Sequence, residues 1–545
     1  MSTRNTFHLR KKSVGVVPQT ALWCSVLSAF LPAAPTVIAQ QAATPSVVVR
    51  STRVVAGRAA PRTLPAATAN KLRALLANPA LRDARIGLCV VALGTAGSAQ
   101  QFAVRPYTGG NQPTLWAKDA ENRFMPASNL KLYTAALALR QLGAQRTFPT
   151  TVEARGAING GVLDGDLQLI GGGDPSLSAD DLQKLAQQVA ATGLKRVRGK
   201  VLGDGSLFTA ESFGGRYPDG WTLDDALWYY GPEVSALAVN RNQVDFTITG
   251  AAKTGLPATT LVSPPDSPLQ ITFDVRTGGS DLAALGEEQL LRFDRSGAGG
   301  ALTNVLTISG AVAPRQKITD GVAVPQPARW AASILERALA AEGVLVEGGD
   351  FPPLRGRGSE MARHQSPPVR VLLQRFLKSS DNLYGEMLLR AAAVSSDNRP
   401  GAGTAQRGHQ LLFAWLKQNA IDTGALRMTD GSGLSRYNLI TPRATVQLLA
   451  AVQRLPGGDA LWNALPVAGV DGTLGRRMKG TPAQNNVRAK TGTFSIVSTL
   501  SGYVTTRDGH RLAVSLLTNF ARDGRKARQL QDDVYALLAN TQWSY

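Results

Sequence analysis

The chain has 545 residues, 43% of them apolar, with 59 basic against 39 acidic side chains and a formal net charge of +20. That length exceeds one ordinary core, so two or three domains are expected, and past the N-terminus no apolar run reaches the roughly 20 residues of a membrane span. The basic residues are scattered and no nucleic-acid motif accompanies them, so the charge suits an anionic polymer or envelope surface better than nucleic acid.

Residues 1–39 read as a signal peptide: Arg4, Arg10, Lys11 and Lys12 form a charged start, and a mostly apolar stretch runs from Val14 to Pro35, broken by Pro18 and Gln19. Val37-Ile38-Ala39 then offers a cleavage site. Leu22-Trp23 before Cys24 replaces the small residues a lipid anchor requires, so no lipidation is expected. Cleavage leaves Cys89 alone, without an internal disulfide or a cysteine metal site. Residues 40–69 are rich in alanine and proline and read as a linker.

The pattern then predicts a helix over Ala69–Leu76, a strand over Ile86–Leu93 carrying Cys89 as a buried thiol, and a second strand near Gln101–Val104. After Pro126-Ala127-Ser128, apolar periodicity from Leu130 to Leu142 marks a helix with the serine at its opening turn. Over residues 148–325, short alternating strands and glycine clusters replace that texture, with one helix over Ala179–Thr192, as in a β-rich insertion of one or two subdomains. The Gly171-Gly172-Gly173 cluster lacks the lysine and hydroxyl of a nucleotide loop.

Helical patterns return over Gln326–Gly343, Pro368–Phe376, Tyr384–Ala393 and Ala405–Asn419. Leu500–Thr506 and Leu512–Asn519 flank Asp508-Gly509, a hairpin signal because this dipeptide accepts the positive φ of a tight turn. A last helix carries Leu530, Val534, Leu537 and Leu538. Two early strands and at least three late ones predict one antiparallel sheet built from both ends of the chain. Residues 70–147 and 326–545 then form one body, and 148–325 are an excursion from it.

Three distant strings carry chemistry. Ser128 and Lys131, three apart, emerge on one helix face, which brings an amine to a hydroxyl. Alone, that spacing also fits a helix-capping serine followed by a surface lysine. Ser380-Asp381-Asn382 lies between two helical patterns, where a hydroxyl can shuttle protons and an amide can hold a carbonyl; in isolation a helix cap is the better reading. Lys490-Thr491-Gly492-Thr493 begins the terminal strands, offering charge, hydroxyls for a carboxylate and an edge on which a substrate can pair, although a solvated strand end looks the same. Together they supply an acyltransferase with a nucleophile, a base, a charge clamp and an oxyanion pair in the N–H groups of Ser128 and Thr493.

With these strings the chain resembles the low-molecular-mass class C penicillin-binding proteins, the serine-type D-Ala-D-Ala carboxypeptidase/endopeptidase family. Further strings that carry the resemblance are Gly172-Gly173-Asp174-Pro175, Ser235-Ala236-Leu237 with Asn240, Asp430-Gly431-Ser432-Gly433-Leu434-Ser435, Asp471-Gly472-Thr473-Leu474 and Leu500-Ser501-Gly502-Tyr503-Val504. It covers the chain from about Asn70 onward. The resemblance implies a mixed α/β (α+β) fold: a β-lactamase-like transpeptidase domain with a five-stranded antiparallel sheet flanked by helices and interrupted by the insertion. It implies Ser128 as nucleophile, Lys131 as its base, Ser380, Asn382 and Lys490 as catalytic partners, and Thr491, Gly492 and Thr493 as the carboxylate site. Implied partners are peptidoglycan stem peptides and inhibitory β-lactams, with no cofactor, metal or nucleic acid. The implied location is the periplasm or cell envelope, with peripheral association. Arg436-Tyr437 and Phe494-Ser495-Ile496 depart from the family pattern beside two strings and bear on substrate grip and deacylation. A β-lactamase or esterase on the same scaffold, or a non-catalytic wall-binding protein, are the rival readings.

Overall fold

The computed structural model describes residues 60–543 apart from 107–111, 210–215, 266, 286, 299–300, 353–355, 357 and 395–398. The expected signal peptide and most of the linker lie outside the described residues. The first helix, expected from Ala69, starts at Ala66 directly after Pro65, whose fixed φ suits a helix entrance.

Both chain ends build one five-stranded sheet. Its strands are β1 (Arg85–Thr95), β2 (Thr114–Lys118), β3 (Arg488–Phe494), β4 (Val497–Thr505) and β5 (His510–Asn519), in the order β3-β4-β5-β1-β2. Every neighbouring pair is antiparallel. The central pairing joins the two ends, with Arg85 opposite Asn519 and Thr95 opposite His510. Gly509, at φ +88°, closes the β4–β5 hairpin.

Helices cover both faces, which explains why these strands read as unbroken apolar runs. Leu88, Val90 and Ala92 of β1 pack with Leu530, Val534 and Leu538 of the helix Gly524–Ala539. Cys89, Val91 and Leu93 share the opposite core with Leu132 and Leu139 of the helix Lys131–Leu142 and Leu448 of the helix Pro442–Val452. Each such side chain contributes roughly 1.5–3 kcal/mol on burial. Burial also pushes the Cys89 thiol up to about 11, in keeping with an inert packing residue.

Two expectations are corrected. The second strand is Thr114–Lys118, not Gln101–Val104. The carbonyl of Gln101 is taken by the Arg511 guanidinium, and among the described residues this stretch pairs with β1 by the single Thr95–Arg105 bridge. The inserted core also runs past residue 325. Helix Pro327–Ala341 packs Trp330, Leu335 and Leu339 with Leu182 and Leu185 of the helix Ala179–Ala191, over strands of the insertion. Ser359–Gln365 then pairs with Pro149–Asn159, so the insertion returns to the main body only after residue 365. Apolar periodicity marks a helix face but not the core that face joins.

The insertion contains a six-stranded sheet and two three-stranded sheets that share one hydrophobic cluster. Residues 217–241 bring the insertion against the main body: Tyr217 and Trp221 pack on Leu434, and the Trp221 indole donates to Asp430 at 2.9 Å.

Candidate active site

The sequence Pro126-Ala127-Ser128 forces a sharp turn. Ala127 holds a left-handed φ of +45°, and residues Ala127–Leu130 form a 3-10 turn ahead of the α-helix that starts at Lys131. In such a turn residues three apart nearly eclipse. This places Lys131 Nζ 2.9 Å from Ser128 Oγ. The left-handed backbone of a non-glycine residue costs on the order of 1 kcal/mol and marks a position held by its surroundings. One of those surroundings is Gly433, where an added Cβ would meet the Ala127 carbonyl oxygen at 2.0 Å.

Lys131 is fully buried. Its Nζ also lies 2.5 Å from Asn382 Oδ1 and 2.8 Å from the Ser432 carbonyl oxygen. A neutral amine carries two N–H bonds and one lone pair. With both hydrogens given to Asn382 and Ser432, the lone pair is left facing the Ser128 hydroxyl. Burial brings the amine down to about 8, against the opposing pull of Asp430, Asp381 and Glu386. Lys490 is equally buried and pushed well below the ordinary lysine range, first by burial and then by repulsion from Lys131. For Lys131, burial is therefore the leading cause rather than the second amine. If the neutral Lys131 amine serves as the base, acylation accelerates as pH rises and levels off above about 8. A pH series of penicillin acylation rates checks this; a rate already flat from pH 6 upward would contradict it.

The second string occupies the bend between the helices Val369–Lys378 and Asn382–Ala391. Ser380 sits at φ +62°, and Asp381 caps the second helix through the Tyr384 N–H at 3.3 Å. Lys490 Nζ donates to Ser380 Oγ at 2.9 Å. The Asn382 amide donates to the Tyr230 carbonyl at 2.8 Å, which leaves its oxygen for Lys131.

The third string lies on the edge strand β3. Asn129, next to Ser128, donates to the Lys490 carbonyl at 2.9 Å and to Thr499 Oγ1 at 2.8 Å, tying the Ser128 turn to the sheet. Thr493 lines the cleft with Ser128, whereas the Thr491 hydroxyl is hydrogen-bonded to Thr473 at 2.8 Å. A Cβ on Gly492 would meet Thr499 Oγ1 at 2.3 Å, the Pro126 carbonyl oxygen at 2.6 Å and the Asn129 nitrogen at 3.0 Å. Gly492→Ala must therefore push β3 away from the Ser128 turn. Overpacking of this kind costs about 1–3 kcal/mol, and acylation is expected to slow roughly 10- to 100-fold if that strain separates reacting groups. Stopped-flow acylation measures it; wild-type rates would show that the approach is not needed.

A buried acidic knot supports the lysine from behind. The Asp430 carboxylate accepts from the N–H groups of Gly433 and Ser435, the Asn438 amide, the Trp221 indole and the Ser432 hydroxyl. Glu386 accepts from the N–H groups of Gly431 and Ser432 and pairs with Arg390 at 2.9 Å. These bonds fix the Ser432 carbonyl against Lys131.

The resulting cleft, about 470 Å³, has Ser128, Ser380, Asn382 and Thr493 in its wall. The insertion supplies Asp225, Tyr229, Tyr230 and Arg241 to the same wall. Sequence reasoning did not single out the last four or the role of Asp430. Arg436, one of the departures from the family pattern, bonds Asp225 at 2.7 Å and stacks over Phe494 at 5.5 Å. The two departures thus touch each other.

A hydroxyl facing a buried amine, a second amine–hydroxyl pair beside it and an edge strand along the cleft can perform acyl transfer through a serine ester. The model of the D-Ala-D-Ala carboxypeptidase 3 (S13) family matches residues 68–541. A D-alanyl-D-alanine carboxypeptidase of Actinomadura sp. (strain R39) is 34% identical over 482 residues, covering 86% of this chain and 83% of that protein. The D-alanyl-D-alanine carboxypeptidase DacB of Haemophilus influenzae is 29% identical over 408 residues, 74% of this chain and 82% of its own. The crystal structure of penicillin binding protein 4 from Haemophilus influenzae superposes with a TM-score of 0.70 at 25% identity, covering 86% of this chain and 99% of that one. The chain belongs to the D-Ala-D-Ala carboxypeptidase 3 (S13) family and is a serine-type hydrolase.

Proposed function

We propose that this enzyme removes the C-terminal D-alanine of peptidoglycan stem peptides, or opens the equivalent D-alanyl cross-bridge, through an ester on Ser128. Lys131 takes the Ser128 proton as the oxygen attacks the carbonyl before the terminal residue. The N–H groups of Ser128 and Thr493 hold the oxyanion. Lys490, with Thr491, Gly492 and Thr493, binds the substrate carboxylate. Ser380, hydrogen-bonded by Lys490, relays the proton held by Lys131 to the departing amine, which restores both groups, and water then hydrolyses the ester. The 2.9 Å contact between the buried Lys131 amine and Ser128 Oγ carries this reading.

β-Lactams present the same amide in a ring, so attack by Ser128 opens the ring and leaves a covalent penicilloyl ester. The basic surface and the leader-like N-terminus support export to the periplasm or envelope with peripheral attachment to an anionic wall; among the described residues no helix is long and apolar enough to cross a membrane. The test is incubation with a stem pentapeptide ending in D-Ala-D-Ala, together with intact-mass analysis after penicillin. Release of one D-alanine and a long-lived adduct support the reading. Rapid penicillin turnover without D-alanine release would make it a β-lactamase, and neither reaction would leave a wall-binding protein.

A further inference from the structure

Arg241 is held in an unusual way. Asn240, Arg241 and Asn242 have φ values of +47°, +60° and +54°, three successive non-glycine residues in the left-handed region. Such a run costs on the order of 1 kcal/mol per residue and persists only where the surroundings fix it. Here the Asn240 N–H donates to the Leu177 carbonyl at 2.9 Å, and Asn240 Oδ1 accepts from the Ala179 N–H at 3.2 Å. The Asn242 N–H donates to the Val239 carbonyl at 2.8 Å, and its amide to the Glu233 carbonyl at 3.0 Å. The pinned turn presents the Arg241 guanidinium at the lip of the catalytic cleft.

Arg375 meets it there from the last turn of the helix Val369–Lys378. Both are ion-paired at long range: Arg241 is 4.0 Å from Asp381 and 3.9 Å from Asp245, and Arg375 is 3.6 Å from Asp381. Those separations exceed hydrogen-bond reach. Within the described residues neither guanidinium donates a hydrogen bond to the protein, leaving two forks suited to a planar carboxylate. Both arginines also wall a second cleft of about 360 Å³, continuous with the first through them and lined by Ser176, Ser178, Asn240, Gln243, Ser263 and Tyr384.

Position decides what this second cleft receives. Ser379, Ser380 and Asp381 form the lip shared with the two arginines, while Asp225, Arg436 and Phe494 also line the catalytic cleft. Ser380 protonates the departing nitrogen in the mechanism above and lines the same cleft as Asp381, Arg241 and Arg375, so what that nitrogen carries leaves beside these residues. A lone D-alanine ends at Lys490–Thr493 and has nothing to reach them. We propose that Arg241 and Arg375 form a carboxylate subsite on the leaving-group side, and that the leaving group it selects is a second stem peptide with a carboxylate of its own. The inference rests on the proposed function and narrows its substrate to the cross-linked form.

The experiment compares wild type with Arg241→Gln and Arg375→Gln on two substrates, a linear stem pentapeptide and a D,D-cross-linked stem-peptide dimer, with penicillin acylation followed in parallel. Each variant is expected to lose roughly tenfold or more in kcat/KM on the dimer, the scale of a lost arginine–carboxylate contact, while pentapeptide hydrolysis and acylation stay within about twofold. A dimer prepared with that carboxylate amidated should be cut equally by wild type and variants. Equal losses on both substrates, undiminished dimer cleavage by the variants, or a wild type that cuts only the pentapeptide would overturn the subsite and leave the proposed function standing. A wild type that acylates with penicillin but cuts neither peptide would bring down both.

Discussion

Ser128→Ala is expected to abolish labelling by a fluorescent penicillin and to lower D-alanine release by roughly 10⁴-fold or more, the scale seen when a nucleophile is removed from a coupled unit. The fold should survive. Ser128 is only half-buried, and among the described residues its hydroxyl bonds Lys131 alone. Lys131→Met should fall almost as far, because in the proposed mechanism the two residues act as one unit and their losses do not add. Strong labelling of folded Ser128→Ala would remove the serine from its assigned role.

Asp430→Ala is expected to act through stability first. Its carboxylate is completely buried and accepts from five donors, which would lose their partner at once. Removing one side of a buried charged network costs about 3–5 kcal/mol, so the melting temperature should drop by several degrees. Acylation of the surviving folded protein should also slow, since the Ser432 carbonyl that orients Lys131 is no longer fixed. Asp430→Asn separates the two effects. It keeps the volume but removes a negative charge that raises the Lys131 pKa, so the acid limb of acylation should move to lower pH. A limb that stays in place would show that this charge does not reach the amine, and a melting curve for Asp430→Ala equal to wild type would show that the knot is not structural.

How much of this was legible beforehand depends on whether the signal is local. Ser128 and Lys131 lie one turn apart, and Asp508-Gly509 names its own hairpin, so both could be read directly. The three strings were readable as candidate groups, and the folded chain gathers Ser128, Ser380 and Asn382 around the two buried amines of Lys131 and Lys490. The second strand was missed because Gln101–Val104 and Thr114–Lys118 offer equally short apolar stretches, and Arg511, far along the chain, decides between them. The extent of the insertion was missed because Trp330 and Leu335 show the same periodicity whichever core they enter. Asp225 with Arg436, Trp221 with Asp430, and Arg241 with Arg375 were invisible for the same reason. The first two pairs bond the insertion to the main body and the third shares a cleft wall between them, arrangements that exist only in three dimensions.

The pairing of β1 with β5 has a consequence for how the enzyme is made. Arg85 waits for Asn519, so almost the whole polypeptide must be synthesised before its innermost ladder can zip. Assembly that depends on such distant partners is slow. Ser128 and Lys131 emerge early, yet the amine at 490 arrives near the very end. A growing chain therefore carries Ser128 with no working surroundings, and the hydrolase stays unarmed until its final strands are in place.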